Sequence, residues 1–341
     1  MAKTSQPVEF CYLLLMPRPA SLPAGTREPA TVKKDVPYFF DLDIEFLSAG
    51  ERRLEVDGTS VNCRFQMLDD QIWLAECRFA MPDLFNESAV RGKQVVQTTL
   101  KRRFQQELGY TGAFFEEYII VLLRDIGTTP DEFVVEGTPV LARLLRSLDK
   151  PLTDVETDQI LAARSRYADD DLIIIDWEGA VVIAGDGDFQ SEIELLKIGN
   201  YQLLRYRLVD RAIERSLEDL RQHVSQGRRR GLGSRRKTFQ QIIEQRLALL
   251  LDFEKIDQSL LLIGDWYSAQ VYRLIVDEFY LDEWKSAVSA KLDNLTAIDE
   301  IVRQNLAFSW DHFLSIIEIA GWLFLLVGYF VLFFVDIGWF G

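Results

Sequence analysis

Histidine is almost missing from this chain: among 341 residues there are two, His223 and His312. A serine or cysteine nucleophile needs a base beside it. One histidine adjoins a basic run and the other an apolar C-terminal stretch, so a catalytic triad is not expected. Cysteine is nearly as scarce. Cys11, Cys63 and Cys77 are odd in number and lack CxxC spacing, which argues against a disulfide framework and against a Cys/His zinc site. No secretory leader is evident, since the first apolar stretch, Phe10 to Met16, is short and runs into Pro17 and Pro19. A reducing, cytoplasmic surrounding for the bulk of the chain is the expectation.

Phosphate-cradling loops are absent too: neither G-x-x-x-x-G-K-[ST] nor a G-x-G-x-x-G between strand and helix occurs. Positive charge is in deficit, with 38 Lys and Arg against 53 Asp and Glu and a net charge of −15. Such a balance repels a phosphate backbone and makes nucleic acid an improbable partner. Asp186-Gly187-Asp188 opens like a calcium loop but lacks the glutamate that closes one, so helix capping by Asp188 is the better reading. Asp41, Asp43 and the run Asp169 to Asp171 read as solvated carboxylates. No cofactor, metal or catalytic residue is expected.

What the chain does contain is an uncharged apolar run, Ile319 to Val335, at its C-terminal end. With Glu318 and Asp336 at its borders it predicts a membrane-spanning helix within an anchor, 313–341. Trp310 and Trp339 mark its interfaces, roughly 44 Å apart at ~1.5 Å per residue, about one bilayer with headgroups. Gly321 and Gly328 share a face where small residues permit close helix packing, which leaves a homo-oligomer open. Mean hydropathy is −0.01, so the apolar excess is local. The expectation is a single-pass, tail-anchored protein with its N-terminal bulk facing the cytoplasm.

The remainder predicts an α+β fold. Residues 1–185 read as a globular domain, with strands at Phe10–Met16, Tyr38–Phe46, Val61–Leu68, Gln71–Phe79 and Tyr118–Leu123. Val96, Leu100, Phe104 and Leu108 predict a helix closed by Gly109. Two short helices follow between Pro130 and Tyr167, then a hairpin from Leu172 to Ile183. Residues 186–312 read as a long helical hairpin, coiled-coil-like because Tyr206, Ile213 and Leu220 recur at heptad spacing. Its turn, 227–237, holds Arg228, Arg229, Arg230, Arg235, Arg236 and Lys237, leaving −15 − 6 = −21 on the rest of the chain. These six residues are the candidate surface for anionic lipid headgroups or a protein partner.

The hairpin LIIIDWEGAVVI, the acidic helix start Asp188 to Glu194 and the segment Trp266 to Trp284 resemble a family named for its requirement in meiotic nuclear division. So does the run from His312 to Trp322, with Glu318 entering the span. Of the tyrosine and tryptophan usual around the hairpin glycine, only Trp177 is present. The resemblance covers about half the chain. It implies a membrane-anchored scaffold or tether with no established enzymatic activity, and the expectation for this chain is a non-enzymatic scaffold or tether that binds a protein partner near the membrane. The alternative is an ion-channel or transporter subunit built like the CorA-type magnesium channels. That reading calls for two spans and a Gly-Met-Asn signature, and all four methionines (Met1, Met16, Met67, Met81) lie far from the apolar run.

Overall fold

The computed structural model describes residues 7–19, 44, 46–82, 87–124, 126–147, 152–225, 266–294 and 317–329. The chain divides into two compact units, Met1–Glu214 with Arg246–Val288, and Arg215–Gln245 with Ser289–Gly341. The first unit is an α+β domain around one mixed sheet. Its strands are β1 (Val8–Pro17), β2 (Phe46–Val56), β3 (Thr59–Leu68), β4 (Ile72–Met81), β5 (Glu116–Leu123), β6 (Arg164–Ser165), β7 (Leu172–Asp176) and β8 (Gly179–Ile183). They lie in the order β2-β3-β4-β1-β5-β8-β7-β6. Only β5 and β8 run parallel among these pairings, and α2, α3, β6 and β7 form the connection between them.

The position of β1 follows from its composition. Phe10 to Met16 are all fully buried, as suits a strand covered on both faces, and β1 pairs with β4 on one side and β5 on the other. Phe10, Tyr12, Leu14 and Met16 face a core shared with α1 (Glu87–Glu107), α2 (Pro130–Arg146) and α3 (Asp154–Ile160). There Phe65, Trp73 and Phe104 pack with ring centroids 5.3 to 5.5 Å apart. Cys11, Leu13 and Leu15 occupy the opposite face. That face is covered by α4 (Gln190–Ser225) and α5 (Trp266–Glu278). Capping boxes at Thr129/Glu132 and Thr153/Glu156 fix the starts of α2 and α3.

Burial in α4 extends around its circumference from Ile193 to Tyr206, excepting only the half-buried Glu194, so the helix carries polar groups into the interior. Lys197, fully buried, meets Glu76 at 2.6 Å, Glu194 at 2.9 Å and the side-chain amide oxygen (Oε1) of Gln66 at 3.2 Å. Arg205 donates to the Tyr201 hydroxyl, which donates to Asp69. These partners satisfy charges that burial alone would make prohibitive.

Two further helices, α6 (281–294) and α7 (317–329), complete seven helices among the described residues. The anchor is the principal correction. No helix among the described residues is long and apolar enough to cross a membrane. The transmembrane helix, the tail-anchored single-pass topology and the membrane localisation expected from the sequence are therefore overturned. The strand expected at Tyr38–Phe46 lies almost wholly outside the described residues. The edge strand here is β2, whose segment Gly50 to Glu55 carries mostly charged side chains.

Candidate functional site

The β7–β8 hairpin forms one side of a concave feature of the first unit. Asp176, at the end of β7, is buried and held by Arg146 through Nε at 2.6 Å and a second guanidinium nitrogen at 2.7 Å. Its carbonyl accepts the Tyr118 hydroxyl at 2.9 Å. The hairpin turn is thereby fixed, and Trp177 projects from it half-buried. Phe279, fully buried just past α5, packs against Tyr118 at 5.3 Å and Trp177 at 6.2 Å. Tyr280 follows with φ +51 and 56% exposure, its ring 5.8 Å from Trp177. A bulky side chain in left-handed backbone costs about 1–3 kcal/mol, a strain typical of binding sites.

Beside this aromatic group lies a pocket of about 270 Å³, lined by Phe114, Trp177, Trp284, Arg207, Asp210, Arg211 and Glu214. The last four occupy one face of α4 by their i, i+3, i+4, i+7 spacing. Arg207 is engaged by Glu116 at 2.5 Å and Arg211 by Glu214 at 3.2 Å. Glu116 is buried at the start of β5. Burial outweighs the Arg207 cation and pushes its carboxyl up to about 7.

Carboxylates crowd the same end of the sheet. Burial and the neighbouring Asp176 raise both Glu178 and Glu278, with Asp277 adding to the effect on Glu278. Asp282 and Glu283 are exposed immediately before Trp284. Aromatic faces set among like negative charges attract a cation and repel an anion.

The residues singled out from sequence fall elsewhere. Arg228, Arg229, Arg230, Arg235, Arg236, Lys237, Trp310 and Trp339 lie outside the described residues, as do Asp41 and Asp43. Glu318 is exposed on α7. Gly321 and Gly328 are on the same helix, and a Cβ at either would meet nothing within 4 Å. Asp188 accepts the Gln190 amide at 3.0 Å at the start of α4, and Asp171 accepts the Gly185 amide at 3.3 Å. Among the described residues no group of three or more His, Cys, Asp or Glu side chains is placed to hold a metal. Phe114, Arg207 and Asp210 are not singled out by the sequence, and Trp284 enters there only as the end of the segment Trp266 to Trp284. The available signal was a pair of tryptophans, each next to or near acidic residues, in Asp176-Trp177-Glu178 and Asp282-Glu283-Trp284.

Fold and site define an α+β protein with an eight-stranded mixed sheet, helices on both faces, and an aromatic, acid-rimmed pocket at one end. Residues 52–190, from within β2 to the first residue of α4, match the family described as Uncharacterized protein MJ0711, N-terminal domain. Uncharacterized protein MJ0711 of Methanocaldococcus jannaschii is 25% identical to this chain over 193 residues, covering 57% of this chain and 59% of that protein. The match thus spans less than two thirds of that relative's length. No solved structure matches the chain.

Proposed function

We propose that this chain is a non-enzymatic scaffold that captures a lysine- or arginine-rich segment of a protein partner in the pocket between Trp177 and Trp284. The observation that carries the reading is the aromatic wall of Phe114, Trp177 and Trp284 beside carboxyls that crowd one another at Asp176, Glu178 and Glu278. At about 270 Å³ the pocket falls below the ~300–1,000 Å³ usual for small-molecule sites, which favours a side chain as occupant. Arg207 and Arg211 do not oppose a cation strongly, because each is matched by a carboxylate. The net charge of −15 steers basic segments toward the chain at low salt. The hairpin that presents Trp177 is also the one that resembles the scaffold family of the sequence analysis.

Fluorescence anisotropy with a labelled oligo-arginine peptide tests this. Binding that weakens with salt, and weakens about 2- to 30-fold in Trp177→Ala or Trp284→Ala, is the expected result for a cation over indole rings. Equal binding of an oligo-glutamate peptide, or indifference to both substitutions in correctly folded variants, would sink the reading.

A further inference from the structure

The sheet face that α4 covers is left open toward the β2 edge. Lys197 reaches Glu76 and Gln66, and beyond them the same face presents Arg64 half-buried and Arg53 and Asn62 exposed. Strand register sets two rows there: Arg53, Asn62 and Arg78 in one, Glu51, Arg64 and Glu76 in the next. An open cavity of about 300 Å³ lies over these six residues. Arg52 and Cys63 border it too, but their side chains turn to the α1 face, where Arg52 lies over the rings of Phe65 and Phe104 and Cys63 joins the core.

The three arginines of this face are tethered alike. Each donates through Nε, Arg53 to the Ser60 hydroxyl at 2.5 Å, Arg64 to Glu51 at 2.7 Å and Arg78 to Glu76 at 2.8 Å. Among the described residues their terminal nitrogens make no hydrogen bond, the nearest charge contact being Arg78 Nη1 with Glu9 at 3.8 Å. A guanidinium held at Nε keeps its orientation and leaves its terminal N–H groups to grip the oxygens of an anion. The exposed Asn62 side chain lies between Arg53 and Arg78, which stand two strand spacings apart, roughly 9–10 Å between Cα atoms, so both arms can meet above it. The nearby carboxylates are already engaged: Glu51 by Arg64, Glu76 by Lys197 at 2.6 Å as well as Arg78, and Glu9 by Arg124 at 3.3 Å. Arg53 has no carboxylate partner among the described residues, and Glu55, two positions along β2, does not line the cavity.

We propose that this cavity binds a small phosphate-bearing anion, its oxygens shared between the terminal nitrogens of Arg53 and Arg78 above Asn62, with Arg64 at its side. Three arginine edges match the several oxygens and higher charge of a phosphate better than the two oxygens of a carboxylate. About 300 Å³ is the lower bound for small-molecule sites and leaves room for a short organic part. Charge argues for a small ligand as well. The chain's −15 repels a long polyanion along its length, whereas a small ion in the cavity responds mainly to the arginines within a Debye length, roughly 8–10 Å. The site lies on β2, β3 and β4 and the Trp177 pocket at the β7–β8 hairpin, so neither reading rests on the other.

Isothermal titration calorimetry of the full-length protein at low salt, with inorganic phosphate and glycerol phosphate as probes, tests the proposal. Saturable binding that weakens with added chloride is the expected result. Tighter binding of the ester identifies an organic phosphate as the occupant and equal binding the free ion; both support the site. Arg53→Gln is expected to weaken binding about ten- to hundredfold, the loss of one charge-assisted hydrogen bond, and Asn62→Ala to weaken it less. Both residues are exposed, so neither change endangers the core. Arg102→Gln removes the same charge from the exposed side of α1 and should leave the affinity unchanged. No saturable binding of either probe, an equal loss in Arg102→Gln, or acetate bound as tightly as phosphate would overturn the assignment. So would a thymidine oligonucleotide that binds more tightly than either probe, which would make this face a nucleic-acid surface.

Discussion

At the scale of single residues, Lys197 shows how a charge can belong to a core. Its ammonium is compensated by Glu76 and Glu194, and Lys197 and Arg78 hold the Glu76 carboxyl down to about 2 against the opposing effect of burial. A carboxyl depressed in the folded state contributes stability that is present above its unfolded value near 4.5 and is lost as pH falls toward 2. Lys197→Met leaves the buried Glu76 with Arg78 as its remaining cation at 2.8 Å and is expected to cost about 3 kcal/mol in urea unfolding. A Glu76→Leu, Lys197→Met pair should recover most of that loss and flatten the acid limb of the stability curve. Glu116 carries the opposite sign. With its folded value at about 7, it is charged and neutralises Arg207 above that pH, and it releases Arg207 below it. Oligo-arginine binding should therefore weaken as pH falls from 8 to 6, and Glu116→Gln should bind weakly at both. An affinity unchanged across that interval would remove Glu116 from the site. None of this was legible beforehand, because the sequence shows Lys197 and Glu116 as ordinary charges and only pairing across 131 or 91 positions reveals their burial.

Among the elements, those shaped by local pattern could be read from sequence and those shaped by distant pairing could not. The apolar run of β1 and the alternation in β3 stood out, as did the four-residue recurrence along α1, because each pattern follows from which faces are covered. β2 was missed because an edge strand with much of one face in water fills those positions with glutamate and arginine. The apolar C-terminal run misled because composition alone suggested a span, whereas no helix among the described residues is long and apolar enough to cross a membrane. Two close approaches between elements make the next prediction. A Cβ on Gly179 would lie 2.7 Å from the Ile119 backbone oxygen and 2.8 Å from the Ile119 side chain, where β8 enters alongside β5. One on Gly199 would lie 2.3 Å from Ile275 and 3.1 Å from Phe279, between α4 and α5. Gly185 would meet only the Asp170 side chain, whose carboxylate can swing away. Gly179→Ala and Gly199→Ala should each lose about 1–3 kcal/mol by thermal or urea denaturation, and Gly185→Ala much less. Gly199→Ala should also weaken oligo-arginine binding, since Phe279 supports Trp177.

For the molecule as a whole, strand order is the property a linear sequence conceals. β1 comes first in the chain, yet it sits between β4 and β5 and joins the β2-β3-β4 part of the sheet to the β5-β8-β7-β6 part. Pairing of β1 with β5 links Leu15 to Glu116 across the sequence, and no local pattern specifies a partner that far away. The region matched by the family, residues 52–190, omits β1 and nearly all of α4. Expressed alone, that segment should form two strand groups with unpaired inner edges and an uncovered face bearing Leu74, Ile120, Leu122 and Ile173. Such edges and faces favour aggregation over folding. Extending the fragment to residues 1–214 restores the central strand and the part of α4 that buries this face, while leaving the surface against α5 open. Amide hydrogen exchange should then show protection across β4, β1 and β5 in the longer fragment and none in 52–190. A well-protected, monomeric 52–190 fragment would mean that its two strand groups can close on each other, and that β1 is not the element on which the sheet depends.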